Sequence, residues 1–164
     1  MIKIKNKKGF TLVEFLIVIA ILAVLAVLAM NILSNVLSKS KERADIAMAK
    51  EMRTAIMTYM TEAEDPNLSK IGIGTGDSVS DLLGKLKKDH KLDDPYTEKK
   101  STYGPYLDSN NRYTPRADHI HSGWIVTIYQ GGGCDVEPNT DMSGGDLLVF
   151  DTGSGGSTTT APTP

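Results

Sequence analysis

The hydrophobic pattern divides the chain into unlike stretches. Phe15 to Met30 is an unbroken run of sixteen apolar residues, and Phe10 to Val13 extends it to 21. As a helix rising 1.5 Å per residue, this stretch spans ~31 Å, which matches the roughly 30 Å hydrocarbon core of a bilayer. From Ile32 to about Glu64 the pattern becomes a stripe. Leu33, Leu37, Ala44, Met48, Met52, Ala55, Tyr59 and Ala63 recur at spacings of three, four and seven, with Ile56 alongside. That is the periodicity of an amphipathic helix. No Gly or Pro interrupts Phe10 to Asp65, so one helix of more than fifty residues is predicted. Pro66 ends it by pushing Asp65 out of helical geometry. Lys41 falls within the stripe, so the packing face is expected to begin near Ala44.

Beyond the helix, Asn67 to Gly76 reads as loop. Asp77 or Ser78 caps a short helix through about Lys88, with Val79, Leu82, Leu83 and Leu86 facing a core. Asp93 to Gly123 is rich in Pro, Asp, Asn and Tyr and reads as a long connection holding one short strand. Trp124 to Gln130 and Asp146 to Asp151 are dense in β-formers and bounded by glycines. They are expected to pair antiparallel, burying Trp124, Val126, Ile128, Val149 and an adjacent leucine. The intervening GGGCDVEPNTDMSGG supplies turns and a small edge strand. A sheet laid across the helical stripe buries both apolar faces. The expected fold class is α+β: a long N-terminal helix, transmembrane then amphipathic, packed against a small C-terminal antiparallel sheet. Residues 152–164, TGSGGSTTTAPTP, have almost nothing to bury and read as a disordered tail suited to O-glycosylation.

The averages conceal this partition. A chain of 164 residues with 40% hydrophobic and 23% charged residues and a net charge of −2 resembles an ordinary soluble domain. Those values exclude a multi-pass membrane protein, a strongly basic nucleic-acid binder and a wholly disordered chain. By position, the first eight residues hold four lysines and no acid, and Phe10 to Asn31 contain Glu14 as their single charge. Lys3, Lys5, Lys7 and Lys8 should keep the N-terminus cytoplasmic while the rest is translocated. A cleaved secretory signal usually has an apolar core of about 7–15 residues, shorter than this one. A carboxylate inside a span costs about 2.5–3.5 kcal/mol at mid-helix and less near an end. Glu14 therefore calls for a cationic partner.

Lys7-Lys8-Gly9-Phe10-Thr11-Leu12-Val13-Glu14 followed by an apolar helix resembles the class III signal of type IV prepilins and type II secretion pseudopilins. The resemblance covers residues 3 to 30. It implies that a membrane prepilin peptidase cuts between Gly9 and Phe10 and N-methylates Phe10. It further implies that Glu14 pairs with the Phe10 ammonium of a neighbouring subunit, with Thr11 in the same assembly cassette. Such a pair offsets the desolvation that penalises either charge alone. Family members commonly have proline at the position of Asn31, where their helices kink or melt. Asparagine keeps its N–H, so a continuous helix is expected. Tyr103-Gly104-Pro105-Tyr106-Leu107 is similar to a GPYL-type segment of several pilin and major-pseudopilin heads. Many Gram-negative pilins close a C-terminal loop with a disulfide, which a chain with one cysteine cannot form internally.

Other chemistry is sparse. Glycines 72, 74 and 76 do not complete GxGxxG, because position 77 is Asp. Lys85, Lys87, Lys88 and Lys91 form the one basic cluster outside the leader and read as a solvated helix face. Without the leader, 14 basic face 20 acidic side chains, a formal −6 that opposes general nucleic-acid attraction. His119 and His121 would ligate a metal together only if a strand pointed both one way, and the local composition reads as loop. Asp135, Glu137, Asp141 and Asp146 offer oxygen ligands that suit calcium, without an EF-hand pattern. Nothing else points to a cofactor. Cys134 lies in a Gly-rich turn where exposure is expected, with no base or orienting partner for catalysis. Asn67-Leu68-Ser69 is a bare glycosylation sequon.

The organisation expected is a removed basic leader at 1–9, a transmembrane and filament-core half-helix at 10–31 and an amphipathic half-helix at 32–65. A globular head follows at 66–151, and a tail at 152–164. The function implied by the resemblance is a type IV pilus subunit, self-assembling into a surface filament for adhesion, motility or DNA uptake. Its partners would be other copies, prepilin peptidase, the assembly machinery and, before assembly, the cytoplasmic membrane. The alternatives are a type II secretion or competence pseudopilin and a signal-anchored extracytoplasmic enzyme or binding domain. The head lacks a catalytic constellation, so a non-enzyme is expected.

Overall fold

The computed structural model describes residues 11–94, 97, 99–110, 113–151 and 153. The leader, the Gly9–Phe10 junction and, apart from Gly153, the tail lie outside the described residues. The chain divides into two units, Met1–Ser40 and Lys41–Pro164.

Helix α1 runs continuously from Leu12 to Glu62, 51 residues, through Asn31. It stops three residues before the expected Asp65. Glu64 adopts a left-handed φ of 48°, and the Asp65 N–H donates to Met60 O at 3.1 Å. This is a Schellman-type end, in which the chain's own amides satisfy the last carbonyls before Pro66 acts. The two parts of the helix differ as the pattern predicts. All its large apolar side chains from Leu12 to Leu37 are exposed, whereas Met48, Ala49, Met52, Ala55, Ile56, Tyr59 and Met60 are buried.

In the second unit the polypeptide folds back on the stripe of α1. Asp65 organises the turn that follows: its carboxylate accepts from Tyr59 Oη at 2.7 Å, from Ser69 N and Oγ at 3.0 Å, and from Lys70 N at 2.7 Å. A 3₁₀ turn at Ser69–Ile71 leads on to α2, Val79–Leu86. Ser78 caps α2 in a reciprocal capping box with Asp81, and Val79, Leu82, Leu83 and Leu86 are buried as expected. Strands β1, His90–Asp93, and β2, Lys100–Tyr103, then form an antiparallel hairpin. Tyr106 and Leu107 return to α2 by donating both backbone N–H groups to Leu86 O. Tyr106 also meets Tyr59 edge-on at 5.8 Å and donates to Glu62 at 2.7 Å.

The C-terminal sheet has the order β4-β3-β5, with β3 at Gly123–Tyr129, β4 at Cys134–Asn139 and β5 at Leu147–Asp151. β3 and β4 are antiparallel, but β3 and β5 are parallel, not the antiparallel pair expected. β4 turns back beside β3 and occupies the hairpin position. The chain then crosses to the other edge of β3, running in the original direction. The register pairs Val126 with Leu148 and Ile128 with Phe150. Leu148 and Phe150 therefore share the core face with Trp124, Val126 and Ile128, and Val149 points away. Pro138 is tolerated because β4 is an edge strand. Gly123 is required by close approach: a Cβ there would lie 2.4 Å from the Gly145 carbonyl carbon.

Candidate functional site

The residues at the start of α1 form a defined N-terminal structure. Thr11 is the N-cap and Glu14 stands three residues on. The Glu14 Oε2 accepts from Thr11 N and Thr11 Oγ1, both at 2.9 Å, and Glu14 N donates back to Thr11 Oγ1 at 3.3 Å. This reciprocal capping box satisfies two of the helix's otherwise unpaired amides. It also places a carboxylate at the positive end of the helix dipole. Glu14 is thus held at the mouth of the apolar segment by Thr11. Gly9 and Phe10, the expected cleavage and methylation positions, lie outside the described residues.

The segment that follows is unsuited to water. Eighteen large apolar side chains from Leu12 to Leu37 are exposed. Full burial of each is worth about 1.5–3 kcal/mol, so their cover must contribute on the order of tens of kcal/mol. α1 is long and apolar enough to cross a membrane, with an 18-residue window of mean hydropathy 3.1 and no residue of that window buried.

The metal candidates are not brought together. His119 and His121 occupy a turn in which the Ile120 and His121 amides both donate to Ala117 O. His119 is exposed while His121 is buried, so the side chains do not share a face. Asp135 is held by Arg53 Nε at 3.3 Å and Tyr129 Oη at 3.0 Å. Asp141 accepts from Ser143 N and Oγ within its own turn, which holds its carboxyl below the usual range. Asp146 accepts from Trp124 N at 2.9 Å, and Glu137 is exposed on β4. Among the described residues, no group of three or more His, Cys, Asp or Glu side chains is placed to hold a metal.

Cys134 is buried rather than exposed, because it opens β4 on the side facing α1. Its Sγ lies 3.7 Å from Arg53 O, and burial pushes its thiol up to about 11. The lysine cluster is only partly a solvated face. Lys88 and Lys91 are exposed, Lys85 and Lys87 are half-buried, and Lys87 Nζ lies 5.2 Å from the centre of the Tyr113 ring.

Sequence reasoning missed a buried carboxylate that ties the long connection to α1. Asp45 is fully buried. It accepts from Arg116 N at 2.7 Å, Ala117 N at 3.0 Å and His121 Nδ1 at 2.8 Å. Tyr113 Oη adds a bond to Glu51 at 2.8 Å, and Trp124 Nε1 donates to Tyr113 O at 2.8 Å. The signal was present. Asp45 lies three and four residues before Met48 and Ala49, so it occupies the apolar stripe itself.

Residues 4–30 match the family described as the prokaryotic N-terminal methylation motif. No curated protein and no solved structure matches the chain.

Proposed function

We propose, from the premise that this chain is a type IV pilin-like prepilin, that it is the structural subunit of a type IV pilus. The class III signal and the apolar helix make it a membrane-anchored precursor. In the proposed cycle, prepilin peptidase removes residues 1–9 on the cytoplasmic side and methylates the new amino terminus at Phe10. The assembly machinery then draws the subunit from the bilayer into a helical filament. The head faces outward and serves adhesion, motility or DNA uptake. The protein is the substrate of an enzyme and has a structural role of its own.

The observation that supports this reading most strongly is the joining of two features at one point. A carboxylate fixed by Thr11 at the helix N-terminus opens a segment whose apolar side chains are all exposed. Lipid covers such a surface before assembly, and identical helices cover it afterwards. In hydrocarbon, the Glu14 carboxylate needs a positive partner. The Phe10 ammonium of a neighbour supplies it, and the pairing sets the axial register between copies. Glu14→Val tests the scheme. The variant should insert into the membrane at normal levels but yield at least tenfold less sheared filament. A wild-type filament yield would remove the register role from Glu14.

A further inference from the structure

The head contains a cleft of about 330 Å³ between the loop after α1 and the end of the β3–β5 pair. Its origin lies in the fold. Ile128 and Phe150 are register partners on the core face of the sheet, and Gln130 follows just past the end of β3. The opposite wall is the 67–76 segment, in which Gly74 lines the cleft without a side chain. A Cβ on Gly74 would meet nothing within 4 Å.

The lining is chemically specific. Ile73, Ile128 and Phe150 give an apolar wall, and Asn67, Thr75, Gln130 and Asp151 give a polar rim. Asp151 Oδ1 accepts from Gly153 N at 2.9 Å, and Oδ2 has no donor among the described residues. The side chains of Asn67, Thr75 and Gln130 have no hydrogen bond among the described residues. Two amides, a hydroxyl and half a carboxylate thus stand ready beside an aromatic ring. An anionic ligand is disfavoured, because among the described residues no Lys or Arg lines the cleft and Asp151 does. A purely apolar ligand would strip water from the rim and replace none of its hydrogen bonds. A cation would meet one carboxylate oxygen and no aromatic cage.

We infer that this cleft is a saccharide-binding site sized for a single pyranose. A pyranose has an apolar C–H face that fits against the half-buried Phe150 ring. Its ring of hydroxyls both donates and accepts, as side-chain amides and a carboxylate require. The volume stands at the low end of the roughly 300–1,000 Å³ range of small-molecule sites, which favours one ring over a larger ligand. The site belongs to the head alone and does not depend on filament formation.

The test is saturation-transfer NMR on the full chain in dodecylphosphocholine micelles, which carry no sugar headgroup. Glucose, galactose, mannose, N-acetylglucosamine and N-acetylgalactosamine are the separate probes. At least one should receive transfer at its ring C–H protons. Gly74→Leu, which adds a bulky side chain at the lining of the cleft, should abolish it. Gln130→Ala, an exposed position, should weaken it about fivefold, the loss of one hydrogen bond. Trp124 fluorescence checks that both variants fold. Transfer to none of the five sugars, or equal transfer to wild type and to both folded variants, overturns the proposal. The unassembled chain is used, so failure of sugar binding and failure of the filament reading are separate results.

Discussion

Replacing Asp45 by alanine should destabilise the head more than any single surface change. The truncation leaves the Arg116 and Ala117 amides and the His121 imidazole N–H in a site where Asp45 itself has no solvent exposure. Orphaning a buried donor costs about 1–3 kcal/mol for each of the three. These overlap, because the donors share one carboxylate, so the expected loss is about 4 kcal/mol. That is a large share of the roughly 5–15 kcal/mol that holds a domain folded. Asp45→Asn keeps one oxygen for an amide and should lose about 2 kcal/mol. Urea unfolding of the full chain in micelles, followed by Trp124 fluorescence, measures both. Trp124 is the single tryptophan, is buried, and donates to Tyr113 at the start of the tethered segment. A double-mutant cycle with His121→Ala should give a coupling of about 1–3 kcal/mol. A loss below about 1 kcal/mol for Asp45→Ala, or no coupling to His121, would refute the tether.

The same group sets an acid limit. Burial raises the Asp45 carboxyl, but the Arg116 amide, the His121 side chain and the Ala117 amide together outweigh it. The carboxyl therefore stands below its ordinary 3.8. A carboxyl depressed in the folded state contributes stability that is complete above the unfolded value and is lost as pH falls through the folded one. The wild-type unfolding midpoint should thus drop below about pH 4, and Asp45→Asn should flatten that part of the curve.

Two further outcomes are expected. Gly9→Ala should block processing, so the intact mass of the precursor persists in membranes; a mature mass would show that the cut lies elsewhere. Cys134 should resist a thiol reagent at pH 8 in the folded chain and react at once in urea, because its thiol is buried and pushed up to about 11. Prompt labelling of the folded protein would place Cys134 at the surface.

The elements readable from sequence were those whose local pattern determines them. The apolar run and the stripe from Met48 to Ala63 specify α1, and Ser78 with Asp81 and the spacing of Val79, Leu82, Leu83 and Leu86 specifies α2. The direction of β5 was not local information. It depends on β4 taking the place beside β3, and β4 carries Asp135, Glu137 and Pro138, a composition that reads as turn. β1, His90–Asp93, contains one apolar residue, Leu92, too little for a strand signal. Asp45 and Asp65 escaped for the opposite reason. A pattern of apolar and charged positions assigns carboxylates to the surface, whereas here backbone amides from distant loops make burial tolerable. Thr11 and Glu14 were legible as part of a cassette, but the capping box that joins them is a feature of the folded helix end. The cleft beside Phe150 arises from the meeting of two loops and a sheet end, and no contiguous motif encodes it.

The most direct test of the proposed role is intact-mass analysis of filaments sheared from the cell surface, with electron microscopy of the same preparation. The expected subunit begins at Phe10, lacks residues 1–9 and carries one added methyl group on its amino terminus. Filaments that lack this chain, or a surface chain that still begins at Met1, would contradict the assignment of the protein as a processed pilus subunit.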